Sequence, residues 1–499
     1  METVGVVGLG IMGAGIVEVF ARAGLRVVGV DVDENAVARG LAHLERSTGR
    51  AVERGRLGAD ERAELLGRIT LSADRGSLAE VDLVVEAVPE VMELKRALFA
   101  DLDRICKPSA VLATNTSSLS VTTIAAMTSR PSRVVGLHFF NPAPVMKLVE
   151  VVTTVLTEDG LAGEIAELAG RLGKTPIVVG DRAGFVANRL LLGYLNQACR
   201  MLEAGIATRD DIDVAMREGA GLPMGPFQLL DLIGLDTAYE ICEVLFYETK
   251  NHRHAPAPVL RELVTARRHG RKCGHGFHPR TARPTAPPAT GPKVAVTTIG
   301  IVGTGAEHLR ERLDAAGFKT IDGHDDADVV LAIAPAPVVE IAVGLPRPER
   351  VVGVHPVGDK VAELAVTVLT SPEIATAVRD LTRVMALTPV VCADRAGFVV
   401  EALLFPYLND ALRMVESGYA SFADVDTAMK LGCGYPQGPF EMLDAFGLET
   451  VRDGLRALYA EYREPAFAPA PLLERLVVAG VTDIPNRANA NTLKGVEER

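Results

Sequence analysis

The sequence has no pair of cysteines at C-x-x-C spacing: its six, Cys106, Cys199, Cys242, Cys273, Cys392 and Cys433, are scattered. That pattern suggests neither a zinc site nor a disulfide framework and suits a reducing compartment. It also lacks an apolar run of 18 or more residues, the length a membrane-spanning helix needs. An apolar strand begins within three residues of Met1, with no signal-peptide pattern before it. Positive charge is in deficit. Lys and Arg total 52 against 64 Asp and Glu, a net charge of −12, which argues against nucleic acid or an anionic membrane as a general partner. Any anionic ligand must then meet a local basic feature. The expectation is a soluble, cytoplasmic protein without a metal, 48% hydrophobic and, at 499 residues, too long for one core.

Residues 4–7 are a short apolar run, followed by Gly8-Leu9-Gly10-Ile11-Met12-Gly13 and then the helical pattern Ile16, Val19, Phe20, Ala23. Strand, glycine turn and helix in this order form a dinucleotide-binding signal. Gly8 permits the tight turn, Gly10 leaves room for a pyrophosphate, and Gly13 lets helix and strand pack closely. The diphosphate would lie on the free N–H groups of the helix N-terminus. A second run, 26–30, ends in Asp31, whose carboxylate can accept from both ribose hydroxyls and repels a 2′-phosphate. NAD is favoured over NADP.

Between 35 and 56 an amphipathic helix is expected, with Arg39, Arg46, Arg50 and Arg54 roughly on one face. They are either a solvated face or a basic stripe for the phosphates of a bulky anionic substrate. Pro89-Glu90, Lys95 and Asn115-Thr116-Ser117-Ser118 follow the apolar runs 81–87 and 110–114, beyond strand C-termini where open α/β sheets bind ligands. The segment 136–150 holds His138 and Glu150 around Pro142 and Pro144, which forbid a helix. The chain should leave a strand near His138, turn, and return over 147–152 with Glu150 beside the imidazole. His138 is the candidate base and Glu150 its orienter; for either residue alone, a core histidine or a solvated strand-end glutamate is the competing explanation.

After Asp181-Arg-Ala-Gly-Phe-Val the period becomes helical, with Asn188 polar among apolar neighbours, and helices continue to about 266. The chain then repeats itself. Asp181-Arg-Ala-Gly-Phe-Val recurs from Asp394, and Gly225-Pro-Phe recurs from Gly438, both 213 residues on (181 to 394, 225 to 438). The expected layout is 1–183 nucleotide-binding, 184–283 helical, 284–297 a proline-rich linker, 298–393 a truncated degenerate copy of the first domain, 394–484 a second helical domain, and 485–499 a tail. Ile299 to Gly305 repeats the opening strand and turn, but His308 stands at the third glycine position. His355 and Glu363 answer His138 and Glu150, while Asn188 becomes Glu401. The second unit is expected to be structural and catalytically inert.

Residues 1 to about 283 resemble the 3-hydroxyacyl-CoA dehydrogenase family. The resemblance rests on Val7-Gly-Leu-Gly-Ile-Met-Gly-Ala-Gly-Ile, Asn115-Thr-Ser-Ser, the whole block from His138 to Glu150, Gly184-Phe-Val-Ala-Asn-Arg-Leu-Leu and Pro223-Met-Gly-Pro-Phe. It implies an α/β protein, a Rossmann-type domain followed by an all-helical one, and NAD-dependent oxidation of an (S)-3-hydroxyacyl-CoA. The family's catalytic pair falls on His138 and Glu150, its substrate-hydroxyl serine on Ser117, and its helical-domain asparagine on Asn188. Nucleotide contacts fall on Gly8, Leu9, Gly10, Ile11, Met12, Gly13, Asp31, Glu90 and Lys95, with Asn115, Ser117 and Asn141. The two-unit layout is similar to bacterial members acting on 3-hydroxybutyryl-CoA or 3-hydroxyadipyl-CoA. Implied partners are an acyl-CoA substrate and an internal pseudo-dimer of the helical domains, with room for homo-oligomerisation. Two rivals are a β-hydroxyacid dehydrogenase of a free acid, which would use a lysine where His138 stands, and a non-catalytic, crystallin-like NAD binder. Acyl length is not legible; Arg182 and Arg189 are candidates for pairing with a terminal carboxylate.

Overall fold

The structure, a computed structural model, describes residues 1–279, 296–303, 306–334, 337–482 and 484. The expected linker, except its last two residues, the tail 485–499, and Gly305 of the repeated turn lie outside the described residues.

Short Val- and Leu-rich runs form a first sheet of eight strands: β1 (Thr3–Val7), β2 (Arg26–Val30), β3 (Ile69–Ser72), β4 (Leu83–Glu86), β5 (Val111–Thr114), β6 (Val134–Phe139), β7 (Leu148–Thr153) and β8 (Thr175–Gly180). Their order is β3-β2-β1-β4-β5-β6-β7-β8. β4, β5 and β6 are buried throughout, as strands covered on both faces must be. Alternate side chains feed two cores: Val4, Leu83 and Val85 one, Val84, Leu112 and Val134 the other. The order reverses between β1 and β4, the crevice where such sheets take a ligand. Only the β6–β7 pairing is antiparallel, and its register sets His138 opposite Glu150.

The second sheet contains β9 (Thr298–Gly303), β10 (Lys319–Asp322), β11 (Val329–Ile333), β12 (Val351–Val357), β13 (Val361–Val366) and β14 (Thr388–Ala393), in the order β10-β9-β11-β12-β13-β14. It keeps the antiparallel pair, β12 with β13, and the register His355 opposite Glu363. Matched against the first sheet, strands answering β3 and β5 do not occur among the described residues. The second sheet is thus shorter by two specific strands.

The described chain forms two compact bodies. One contains residues 1–189 together with Ser417–Gly434; the other contains Leu190–Glu416 and the chain from Tyr435. In the first, the helix Phe422–Cys433 of the second repeat packs on β7 and β8. In the second, the first repeat returns the exchange: Ala393 N–H donates to Ile206 O at 2.7 Å, and Thr388 Oγ1 to Glu218 Oε2 at 3.2 Å. Helices of both repeats share this second body, where Tyr194 and Tyr407 lie 6.2 Å apart and Arg253 pairs with Asp410 at 2.8 Å.

The repeated motifs are joints. Asp181 accepts from Ser120 Oγ and from the N–H groups of Val121 and Thr122; Asp394 accepts from those of Val338 and Val339, both at 2.8 Å. Buried Asn196 and Asn409, also 213 apart, each tie their helix to three backbone groups of a later loop. A buried amide with all these partners is stabilising; the same amide without them would be costly. Removing one cap should cost about 1 kcal/mol, so Asp394→Ala should lower the thermal midpoint by about 2 °C and leave kcat within about twofold, checked by thermal melts and turnover on the same sample.

Candidate active site

The cross-strand register is what brings the central pair together. His138 Nδ1 lies 2.6 Å from Glu150 Oε2, with the residues 6% and 0% exposed. Glu150 Oε1 accepts from the N–H groups of Val186 and Ala187 at 3.1 Å each, at the start of the helix Ala187–Glu203. A carboxylate only accepts, so Nδ1 carries the hydrogen and Nε2 presents a lone pair. Nε2 meets no hydrogen-bond partner among the described residues. Phe140 and Phe185 flank the ring, centroids 4.5 and 5.6 Å away.

The proline-bearing loop after β6 is tied on two sides. Lys174 Nζ donates to Ala143 O and Met146 O at 2.5 and 2.7 Å, and burial, with Lys147 and Arg22 nearby, pushes its pKa down to about 8. On the other side, Gly15 lets the loop approach the first helix: a Cβ there would lie 3.2 Å from Pro144 Cδ. Asn141 is exposed on this loop and precedes a cis proline peptide. Asn115 Oδ1 accepts the Phe139 N–H at 2.8 Å, pinning the end of β5 to the end of β6 beside His138.

Ser117 is half-buried in the loop after β5. Its N–H donates to Glu90 Oε1 at 2.9 Å, and Thr116 Oγ1 donates to the same oxygen at 2.5 Å. Burial alone would raise the Glu90 carboxyl; the Lys95 ammonium and these donors outweigh it and hold it below the usual carboxylate range. Lys95 differs from what the sequence suggested. It is 1% exposed and enclosed by Glu86 at 2.7 Å and Glu90 at 3.2 Å, an internal counter-ion rather than a group facing a ligand. Asn188 is the second residue of its helix, half-buried, and its amide has no hydrogen-bond partner among the described residues.

A cavity of about 690 Å³ opens at the strand-order reversal, lined by Gly8 to Met12, Asp31, Arg39 and Pro89. Its wall fits NAD. No side chain caps the helix that starts at Ile11, so its first N–H groups are free for a diphosphate, and a Cβ on Gly10 would meet nothing within 4 Å but open space. A Cβ on Gly13 would lie 1.7 Å from Gly8 O, and one on Gly8, at φ +91°, 2.7 Å from Ala87 O. Asp31 is braced for ribose by the N–H groups of Leu9 and Val32, both 2.7 Å away. Arg39 lines this cavity. Arg46 and Arg50 are exposed on the same helix, Glu34–Glu53, and Arg54 lies just past its end. The cavity lining does not include Ser117, His138 or Asn188.

The second copy holds a like pair. His355 Nδ1 lies 2.9 Å from Glu363 Oε2, and Glu363 Oε1 accepts from Val399 and Val400. Its other ring nitrogen, however, faces Glu401 at 3.6 Å, where the first copy has Asn188. With no strand answering β5, the loop bearing Asn115 to Ser118 has no counterpart among the described residues. His308 sits exposed on its helix, while Gly303 repeats Gly8, its Cβ position 1.9 Å from Ile333 O.

Sequence reasoning passed over Glu86, Lys174, Phe140 and the segment Ser417–Gly434. A signal existed for Glu86, a charge at the end of an apolar run; no spacing marks the others.

A parallel sheet with a dinucleotide cavity at its strand-order reversal and a histidine–carboxylate pair at neighbouring strand ends defines a nicotinamide-dependent dehydrogenase. Two family models match: 3-hydroxyacyl-CoA dehydrogenase, NAD binding domain, over residues 3–182, and 3-hydroxyacyl-CoA dehydrogenase, C-terminal domain, over 184–279 and again over 397–488. The chain is 36% identical over 482 residues to 3-hydroxyadipyl-CoA dehydrogenase of Escherichia coli K12, covering 95% of this chain and 97% of the relative. It is 45% identical over 280 residues to 3-hydroxybutyryl-CoA dehydrogenase of Mycobacterium tuberculosis, covering 56% and 98%. The crystal structure of 3-hydroxybutyryl-CoA dehydrogenase from Escherichia coli K12 superposes with a TM-score of 0.83 at 34% identity, over 96% of this chain and 98% of that one. The chain belongs to the 3-hydroxyacyl-CoA dehydrogenase family, and its cofactor is NAD.

Gly10→Ala should leave the ligand-free melting temperature unchanged yet raise the NAD Kd at least about tenfold, whereas Gly13→Ala should itself destabilise, by about 1–3 kcal/mol; calorimetric titration and melting curves separate the two. A pH signature is also expected. Burial opposes charging of His355, but the Glu363 hydrogen bond and the charges of Glu363 and Glu401 prevail and raise its pKa. A raised histidine contributes stability that is full below its unfolded value of about 6.5 and is lost as pH climbs through the folded value. The melting difference between the native chain and His355→Gln should therefore be widest near pH 6 and shrink towards pH 9.

Proposed function

We propose that the chain oxidises the 3-hydroxyl of a short (S)-3-hydroxyacyl-CoA such as 3-hydroxybutyryl-CoA, with His138 as the acid/base. The observation that carries this is the 2.6 Å contact between His138 and Glu150, which leaves Nε2 without a hydrogen-bond partner among the described residues. NAD, when bound, takes the hydride from C3. His138 Nε2 removes the hydroxyl proton, and in the reverse direction the imidazolium returns it. Glu150 fixes the tautomer and stabilises the imidazolium, as a carboxylate does in a serine-protease triad. Ser117 and Asn188 orient the reacting oxygen and the thioester, a placement in which small errors cost about 10²-fold. The Glu90–Lys95 pair stiffens the Ser117 loop. Arg46 and Arg50, with Arg54, remain candidates for the CoA phosphates.

A second substrate, 3-hydroxyadipyl-CoA, is favoured by one fact: the relative of that name matches along nearly the whole two-unit chain. A profile of kcat/KM over C4, C6, C8 and 3-hydroxyadipyl thioesters decides, since one methylene is worth only about 1–3 kcal/mol while a buried carboxylate is an all-or-none feature.

For the second unit we propose an internal partner role, the exchanged segments standing in for a subunit contact. Among the described residues no helix is long and apolar enough to cross a membrane, and with the uncrosslinked cysteines this supports a cytoplasmic setting.

His138→Gln should lower kcat by about 10²–10⁴ with NAD affinity retained. A loss below about tenfold in acetoacetyl-CoA reduction would remove His138 from the base role.

A further inference from the structure

The segment Ser417–Gly434 comes from the second repeat, yet in the first body it lies beside the catalytic hairpin. Its helix Phe422–Cys433 packs on β7, the strand that carries Glu150, and on β8. The approach is close enough at one point that an added Cβ would make its neighbours shift. A Cβ on Gly432 would lie 2.7 Å from Leu148 Cδ2, 3.2 Å from Phe140 Cε1 and 3.4 Å from Phe140 Cζ. Phe140 is the ring that tilts against His138 at a centroid distance of 4.5 Å. Helix backbone, phenyl ring and imidazole are therefore in series.

Two further contacts mark the same seam. The Cys433 thiol is pushed up to about 12 by burial and by the Glu150 charge, so Cys433 is within electrostatic reach of the dyad. Tyr419 packs 3.8 Å from the Cβ position of Gly180 at the end of β8, with its hydroxyl buried.

Glu150 fixes one edge of the imidazole through Nδ1, but a single hydrogen bond leaves the ring free to rock about that contact. A ring packed against its side at a 50° tilt, as Phe140 is, limits this freedom. Phe140 alone does not supply such pressure, because it stands at the start of the loop after β6 and needs a backing of its own.

We infer that the helix Phe422–Cys433 is a positioning element for the catalytic base: Gly432 backs Phe140, and Phe140 holds the His138 ring at the angle that aims Nε2. The second repeat, inert in its own site, thereby acts on the chemistry of the first. This rests on His138 being the base, and it assigns Gly432 and Phe140 a positioning role only, since neither contacts the reacting atoms.

The test uses the full-length chain with Leu148→Val, which clears the closest overlap, as background. Gly432→Ala is then introduced with Phe140 intact and with Phe140→Leu, and kcat, KM for NAD and for acetoacetyl-CoA or its 3-hydroxy partner, and the pH dependence of kcat/KM are measured. With Phe140 intact, the glycine change should lower kcat about tenfold, keep both KM values within about twofold and displace the limb of the pH profile that reports His138. In the Phe140→Leu background, the same change should alter kcat by less than twofold. An equal effect in both backgrounds, or an unchanged kcat with Phe140 present, overturns the proposal. Should the glycine change unfold the chain only when Phe140 is present, the clamp is supported; unfolding in both backgrounds counts against it. The His138→Gln measurement is separate: full activity there sinks the base assignment, while the coupling between 432 and 140 is read from the cycle regardless.

Discussion

Everything in the site hangs from one carboxylate with two tasks. Glu150 gives one oxygen to the imidazole and the other to two N–H groups at the start of the helix Ala187–Glu203. The same side chain thus fixes the imidazole and ties β7 to the start of that helix. A fully buried carboxylate is tolerated only when both oxygens are so engaged, because an unpaired charge there would cost several kcal/mol. Glu363 shows that the joint has a value apart from catalysis: it makes the same three contacts in a repeat that has lost its nucleotide apparatus.

The difference between the two copies is therefore in what surrounds the joint. In the first, neither Nε2 nor the Asn188 amide has a hydrogen-bond partner among the described residues, and a loop anchored on Glu90 lies beyond β5. In the second, Glu401 closes the ring from the other side and forms an internal ion pair. Burial and the Glu363 charge raise the Glu401 carboxyl, against the pull of His355. Neutral amide against carboxylate at one helix position thus decides whether the second ring nitrogen meets an internal acid.

Much of this was legible in the sequence because short-range rules govern it. The glycine turn, Asp31 and the alternation of apolar residues are local signals, and the constant 213-residue offset exposed the duplication. The pairing of His138 with Glu150 is an expectation from two prolines that forbid a helix between two strand-like runs. What stayed hidden depends on long-range approach. Lys95 looked like a ligand-facing cation, and only burial reveals that Glu86 and Glu90 enclose it. Gly432 reads as an ordinary glycine near a helix end; its meaning comes from residues almost 300 positions earlier, which no periodicity encodes. The same holds for the exchange of segments, since a helix with an apolar face does not announce which sheet will cover it.

Among the described residues no strand stands between β11 and β12. An amide at position 401 is one substitution away. A strand, and the loop that follows it, cannot be supplied by exchanging side chains, so equipping the second repeat like the first would call for inserted chain.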